Sequence, residues 1–125
     1  MRLLLDTHVF LWAVKDEPRL TKVARKLIAD ADEVYVSSVS IWEAAVKVGL
    51  GKLDVDIDLL VAEIEASGFS ELPVRAVHAA RVRGLPDILR DPFDRLLVAQ
   101  ALSEPLRLVT ADGYLSKYTE LVLSV

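Results

Sequence analysis

The strongest constraint on the fold is a short apolar run near the amino terminus, Leu3-Leu4-Leu5, which ends on Asp6. A strand is apolar at consecutive positions when both of its faces are buried, as at the centre of a parallel sheet. In open α/β sheets the carboxyl ends of the strands border the ligand crevice, so this run predicts that Asp6 lies in an active site. An N-cap for the helix that begins near Thr7 is the alternative explanation of the same aspartate.

Size and composition indicate a folded domain that does not cross a membrane. The chain has 125 residues, 53% of them hydrophobic, which predicts one domain over residues 1–125. No apolar run approaches the roughly 18 residues of a membrane span, and residues 1–5 are too short for a signal peptide, so we expect a cytoplasmic protein. Because the chain has no cysteine and only two histidines, any metal is expected to bind mostly to oxygen.

The charge distribution bears on nucleic-acid binding. A formal net charge of −4 argues against a protein that coats nucleic acid non-specifically, because neutralising phosphates requires a surplus of Lys and Arg. Basic residues nevertheless outnumber acidic ones between positions 75 and 107. The arginines of this stretch are Arg75, Arg81, Arg83, Arg90, Arg95 and Arg107. Each one taken singly is better explained as solvated surface, but a local phosphate-binding face stays open as an alternative.

The remaining hydrophobic pattern predicts alternating strands and helices. Beyond the first strand, strands are predicted at residues 34–36, 69–73, 106–110 and 121–125. The segment 69–73 ends on a proline, which is typical of an edge strand. The chain is therefore predicted to form an α/β fold with about five strands.

Glu43 has two competing explanations. Ser40 and Glu43 have the spacing of a capping box, in which the serine bonds the amide three residues on and the glutamate bonds back. A glutamate in the first helical turn after a strand also lies at the crevice edge, where its carboxylate can face Asp6 across a cation. This motif alone does not decide between them.

A second informative stretch runs from Asp91 to Gln100. Asp91 is a good N-cap, Pro92 a good first helical residue, and Asp94 lies in the first turn, where the helix dipole favours an anion. The helix that follows is apolar nearly all round, which predicts that it is buried. Capping explains all of these residues, but burying a carboxylate at the start of a core helix without a partner would be costly.

Four carboxylates are therefore candidates for one crevice: Asp6, Glu43, Asp94 and Asp112. Asp112 lies in the turn that follows a strand, where an ordinary turn residue is the alternative explanation. Without a cation they repel one another, so the arrangement favours a site for Mg²⁺ or Mn²⁺. Phosphodiester hydrolysis by metal-activated water is the chemistry that such a site performs. His8 lies at the start of the first helix and could touch the site, although a packed or hydrogen-bonded structural role is the favoured explanation, and His78 is interpreted as a residue at the core boundary.

Over its whole length the chain resembles the PIN-domain family, and specifically its small ribonucleases that are the toxins of VapBC-type toxin–antitoxin pairs. The motifs that carry the resemblance are 3–8, 38–43, 91–100 and 108–112, namely LLLDTH, SVSIWE, DPFDRLLVAQ and LVTAD. The resemblance implies a three-layer α/β/α sandwich around a central parallel sheet, with the four acids as metal ligands. It also implies that Thr110 lies in the site, that Asp91 supports it, that RNA is the substrate, and that the protein dimerises and is silenced by a cognate antitoxin.

Three hypotheses of different classes were compared. An aspartyl-phosphate phosphatase requires a second acid two residues after the nucleophile, where this chain has His8, and a receiver domain requires a lysine near Thr110 that is absent. A catalytically silent binding module remains open, although four intact acids disfavour it. The sequence therefore favours a Mg²⁺- or Mn²⁺-dependent endoribonuclease, and metal titration would discriminate.

Overall fold

The computed structural model describes residues 1–125 and forms an alternating series of strands and helices, as the sequence predicts. The strands are β1 (Arg2–Leu5), β2 (Glu33–Ser37), β3 (Ser70–Leu72), β4 (Arg107–Thr110) and β5 (Val122–Ser124). The α-helices are α1 (Thr7–Lys15), α2 (Lys22–Asp30), α3 (Ser38–Gly49), α4 (Ile57–Ala66), α5 (Ala76–Arg81) and α6 (Pro92–Ser103). Two 3₁₀ turns, Val82–Gly84 and Gly113–Lys117, complete the elements. None of the helices combines the length and the apolar character that a membrane span needs.

The five strands form one parallel sheet in the order β3-β2-β1-β4-β5. The leucine run lies at its centre, with Leu4 paired to Tyr35 on one side and to Leu108 on the other. The segment predicted as an edge strand, β3, is at an edge. The chain places β2 and β3 on one side of β1 and then crosses over to place β4 and β5 on the other side. The direction in which strands are added therefore reverses between β1 and β4. In open α/β sheets this is where a crevice opens.

Alternation along β1 divides the core between the two faces of the sheet. Leu3 and Leu5 point into one apolar layer, and Leu4 points into the other, as successive side chains of a strand must. Buried residues of α1, α2 and α4 cover the first face, and those of α6 cover the second. The predicted α/β/α sandwich is therefore confirmed.

The start of α3 differs from the prediction. The helix begins at Ser38 rather than after Ser40, and Ser37 is its N-cap, accepting a hydrogen bond from the Val39 amide at 3.0 Å. Ser40 is fully buried inside the helix, where its Oγ accepts a bond from the Thr7 hydroxyl at 2.9 Å. The capping-box interpretation is wrong, and Glu43 lies in the second turn rather than the first.

His78 is not a boundary residue, because α5 packs against α6 and buries it completely. Its Nδ1 accepts a hydrogen bond from the Arg75 amide at 2.9 Å, and its Nε2 lies 2.7 Å from Glu104 on the chain segment after α6. The histidine therefore ties the start of α5 to the end of α6.

Candidate active site at the carboxyl end of the sheet

A cavity of about 410 Å³ opens beyond the carboxyl ends of β1 and β4. All four acids proposed from the sequence line it, together with Asp91. Its lining consists of Asp6, His8, Trp12, Arg19, Glu43, Lys47, Asp91, Asp94, Ala111 and Asp112. Residues that are up to 106 positions apart in the chain thus meet at one crevice, because parallel strands present their carboxyl ends at the same edge.

Asp6 is both a helix cap and a cavity residue. One carboxylate oxygen accepts the Val9 amide at 2.8 Å, which makes Asp6 the N-cap of α1, and the other accepts a bond from the Thr110 hydroxyl. Its residue surface is only 5% exposed. Burial raises the pKa of Asp6, and the nearby Glu43 raises it further, whereas the bonds from Thr110 and Val9 act in the opposite direction. The two explanations offered for Asp6 are therefore compatible.

The end of β4 supplies two further polar groups. Thr110 is fully buried, and besides donating to Asp6 its Oγ1 accepts the Asp112 amide at 3.0 Å. Asp112 is exposed, and its carboxylate accepts the Tyr114 amide at 3.0 Å at the start of the following 3₁₀ turn. Thr110 thus links the two strand ends that carry Asp6 and Asp112.

Glu43 is buried, but it has a cationic neighbour. The carboxylate accepts a bond at 2.8 Å from the ammonium of Lys47, one helical turn further along α3. The Glu43 side chain is 6% exposed and that of Lys47 is 34% exposed, so the ammonium lies between the carboxylate and solvent. Lys47 therefore provides the charge compensation that a buried carboxylate requires.

Asp94 has no such partner. Asp91 caps α6 by accepting the amides of Phe93 at 2.8 Å and Asp94 at 3.1 Å, as predicted, and this leaves the half-buried Asp94 carboxylate facing the cavity. Burial, followed by repulsion from Asp91, Glu43, Asp6 and Asp112, raises the pKa of Asp94 to about 7. A cation placed in the cavity would stabilise the ionised form of this carboxyl group and lower its pKa.

The donor set of the cavity is that of a magnesium or manganese site, because it offers carboxylate oxygens and no sulfur. Burial and then repulsion from the other acids raise the pKa of Asp94, and a divalent ion would replace that repulsion by attraction. The carboxylates of the cavity do not converge on one point, since no group of three or more His, Cys, Asp or Glu is arranged to hold a metal ion. The residues therefore fit such an ion in chemistry, and binding requires their carboxylates to turn inward.

His8 differs from its predicted role. It is exposed and lines the cavity, with its ring centroid 6.1 Å from that of Trp12 one turn further along α1. Of the two interpretations of His8, the structure therefore agrees with the less favoured one, contact with the site.

The arginines of the 75–107 stretch do not form one face at the cavity. Arg95 donates to the carbonyls of Pro86, Leu89 and Val82 and to the Tyr118 hydroxyl, so it holds a loop together. Arg81 and Arg83 line a separate cavity. The basic residues at the acids are instead Arg19 and Lys47, which the sequence analysis missed. The spacing of Lys47 four residues after Glu43 was a usable signal, whereas nothing in the sequence pointed to Arg19.

Comparison with known proteins agrees with this geometry. Residues 3–121 match the PIN domain family. The chain is 32% identical over 117 residues to "Ribonuclease VapC22" of Mycobacterium tuberculosis, covering 92% of this chain and 90% of that protein. Among solved structures, VapBC2 from Rickettsia felis bound to a promoter DNA fragment aligns with a TM-score of 0.73 at 18% identity, covering 100% of this chain and 99% of that one. A toxin-antitoxin complex from Klebsiella pneumoniae aligns with a TM-score of 0.67 at 17% identity, covering 98% and 96%.

Proposed function

Because this chain belongs to the PIN domain family, we propose that residues 1–125 form one Mg²⁺- or Mn²⁺-dependent endoribonuclease domain. The observation that carries the proposal is the shared cavity, in which four acids from four separate segments of the chain meet and Asp94 has a pKa of about 7. The name of the relative that is 32% identical, "Ribonuclease VapC22", supports RNA as the substrate.

The metal ligands in this proposal are Asp6, Glu43, Asp94 and Asp112, whose carboxylates line the cavity. A bound Mg²⁺ or Mn²⁺ would supply activated water and stabilise the charge that develops on the scissile phosphodiester. The four acids need not all contact the ion directly, because ligands to magnesium often act through water.

The chain's own residues prepare the site in three ways. Thr110 donates to Asp6 and thereby fixes one carboxylate oxygen, while the Val9 amide fixes the other. Lys47 keeps the buried Glu43 compensated and must yield when that carboxylate turns toward a metal ion. The pKa of Asp94 near 7 means that an incoming cation displaces a proton from part of the population at neutral pH.

The direct test is cleavage of a fluorescently labelled single-stranded RNA by the purified chain. We expect cleavage with Mg²⁺ or Mn²⁺, none after chelation with EDTA, and none of a DNA strand of the same base sequence. An RNA that is bound but left intact at saturating metal would contradict the proposal and favour a catalytically silent binding module.

We also propose that this ribonuclease is a toxin neutralised by a cognate antitoxin. Support comes from the solved neighbours, described as VapBC2 and as a toxin-antitoxin complex. Expression of the chain alone in a bacterial host should arrest growth, and co-expression with its cognate antitoxin should restore growth. Arrest that persists in an Asp94→Asn variant would contradict toxicity through RNA cleavage.

The homodimer implied by the resemblance stays a prediction. Trp42 and Val46 on α3 and Leu50 at its C-cap recur every four residues and are all exposed, which gives the chain an apolar stripe that self-association would cover. Light scattering coupled to size exclusion should give twice the mass of 13.8 kDa. A monomer at micromolar concentration would contradict this prediction.

A further inference from the structure

We propose that Arg19, seated on the indole ring of Trp12, binds a backbone phosphate of the RNA adjacent to the scissile position. The inference rests on the proposed ribonuclease function and assigns a substrate-binding residue to the same cavity. Both residues line that cavity with the acids, and the Arg19 guanidinium carbon lies 5.3 Å from the centroid of the Trp12 ring. Stacking on the ring orients the planar guanidinium while leaving its edges available.

The donors of Arg19 are not used within the protein. Its side chain is 68% exposed and donates no hydrogen bond, and its nearest charged partner is Glu17 at 3.7 Å, a distance that is too long for a hydrogen bond. Arg25, which lies nearby in the chain, is different. It donates to the carbonyls of Leu20 and Glu17 as well as to Asp16, so its guanidinium is occupied. Arg19 therefore has free N–H groups for a ligand.

The backbone that carries Arg19 is held on both sides. Asp16 adopts a left-handed conformation with φ of 51° to end α1, and the Glu17 amide bonds the Trp12 carbonyl at 2.9 Å. On the other side, Leu20 is buried and its amide bonds the Glu17 carbonyl at 3.0 Å. Little backbone ordering is therefore needed when the guanidinium meets a ligand, which lowers the cost of binding.

The chemistry of the surroundings selects a phosphate as that ligand. The cavity carries five carboxylates, which repel a polyanion, so a substrate with phosphates needs cationic groups at the rim. Lys47 is engaged with Glu43, and Arg19 is the cavity cation whose donors are free. A guanidinium fork matches two oxygens of a phosphodiester in a bidentate arrangement.

The matched control is Arg2. Its guanidinium carbon lies 5.6 Å from the ring centroid of Tyr35, so it too is stacked on an aromatic ring beside a glutamate, although its Nε donates to Glu33 at 3.4 Å. Arg2 begins β1, whereas the cavity lies beyond the other end of that strand. Arg19→Gln and Arg2→Gln each remove one positive charge, so a comparison between them cancels the effect of net charge.

The experiment measures binding and cleavage of one fluorescein-labelled single-stranded RNA. Binding is followed by anisotropy in an Asp94→Asn background, where cleavage is blocked, and cleavage is followed in the wild-type background. We expect Arg19→Gln to weaken binding and raise KM by about fivefold with kcat changed less than about twofold, and to reduce the salt dependence by about one phosphate contact. Arg19→Lys should recover part of the affinity, because it restores the charge without the fork, and Arg2→Gln should bind as the parent does.

Wild-type protein that cleaves RNA, together with an Arg19→Gln variant whose affinity, KM and salt dependence equal those of Arg2→Gln, would overturn the role of Arg19 and leave the proposed function intact. Wild-type protein that neither binds nor cleaves RNA would overturn the proposed function and this inference with it. A fall in kcat at unchanged KM and affinity would also overturn phosphate binding.

Discussion

The two ends of the central sheet hold acidic residues in opposite electrostatic states. At the amino end, Asp32 pairs with the amino group of Met1, and Glu33 accepts bonds from Tyr35 and Arg2. The bond to the amino terminus lowers the pKa of Asp32, and the bonds from Tyr35 and then Arg2 lower that of Glu33. At the carboxyl end, burial and mutual repulsion raise the pKa of Asp94 to about 7, and burial raises that of Asp6.

The contrast separates two uses of a carboxylate. The amino-end acids are exposed and have cationic or hydroxyl partners, so the fold satisfies them. At the carboxyl end Asp6 and Glu43 are buried and Asp94 is half-buried, and the five acids of the cavity outnumber its two cations, Arg19 and Lys47, which costs stability in the absence of a ligand. Residues held in such a state are characteristic of functional sites. The metal site is therefore proposed where the fold leaves negative charge without enough positive partners.

The largest expected effect comes from Asp94→Asn. If Asp94 is a metal ligand, the substitution should reduce kcat for RNA cleavage by about a thousandfold, or about 4 kcal/mol of transition-state stabilisation. Asp32→Asn at the other end should leave kcat within about twofold. Steady-state cleavage assays at saturating Mg²⁺ check both. Equal activity of wild type and Asp94→Asn would mean that Asp94 serves only the helix start.

Metal addition should stabilise the carboxyl end selectively. At a free Mn²⁺ concentration about 100 times Kd, binding to the native state should raise the free energy of unfolding by about 2.7 kcal/mol. Thermal unfolding with and without Mn²⁺ measures this gain, which Asp94→Asn should largely abolish and Asp32→Asn should preserve. A gain of the same size in all three proteins would place the metal elsewhere.

The pH dependence of stability should distinguish the two ends in metal-free buffer. Because the pKa of Asp94 rises from 3.8 to about 7 on folding, its native state holds a proton that the unfolded chain loses. Stability is therefore lost as the pH rises from about 4 to 7, by about 1–2 kcal/mol after allowance for solvent screening of this half-buried group. Asp94→Asn should match wild type near pH 4 and exceed it at pH 8. Denaturant unfolding at the two pH values checks this, and a constant difference between the proteins would contradict the raised pKa.

The smallest effect is expected at the amino end. The lowered pKa of Glu33 contributes stability that is present above its unfolded pKa and lost as the pH falls through the folded value. Because the group is exposed, solvent screens its pairing with Arg2 and Tyr35. Glu33→Gln should therefore change the midpoint of thermal unfolding at pH 7 by less than that of Asp94→Asn, and with the opposite sign. If Glu33→Gln shifts the midpoint of thermal unfolding by more than Asp94→Asn does, the difference proposed between the two ends of the sheet is wrong.

The sequence predicts the sheet well because its signals are local and agree with one another. Three consecutive leucines require burial on both faces, which places β1 at the centre, and the proline at 73 marks β3 as an edge. The order of the strands is not contained in such signals, because it depends on the side of β1 to which the chain crosses after β3.

Errors arose where local chemistry offered several equivalent answers or where a partner is distant in the chain. Ser37, Ser38 and Ser40 are all plausible caps for α3. The capping-box spacing favours Ser40, whereas the structure uses Ser37, because the Ser40 hydroxyl is engaged in a tertiary contact with Thr7. The burial of His78 depends on Glu104, 26 residues away. Arg19 lies in a charged loop between α1 and α2, and its position beside the acids follows from the way this loop folds back on Trp12, which is a property of the tertiary structure.

We propose that the four carboxylates at the carboxyl end of the sheet bind a divalent ion. A crystal structure of the protein grown with Mn²⁺, with data collected to record the anomalous signal of manganese, decides whether they do. We predict a peak inside the cavity, with oxygens of at least two of Asp6, Glu43, Asp94 and Asp112 about 2.0–2.6 Å from it. Crystals with Mn²⁺ bound at another surface and no peak among these carboxylates would contradict the claim.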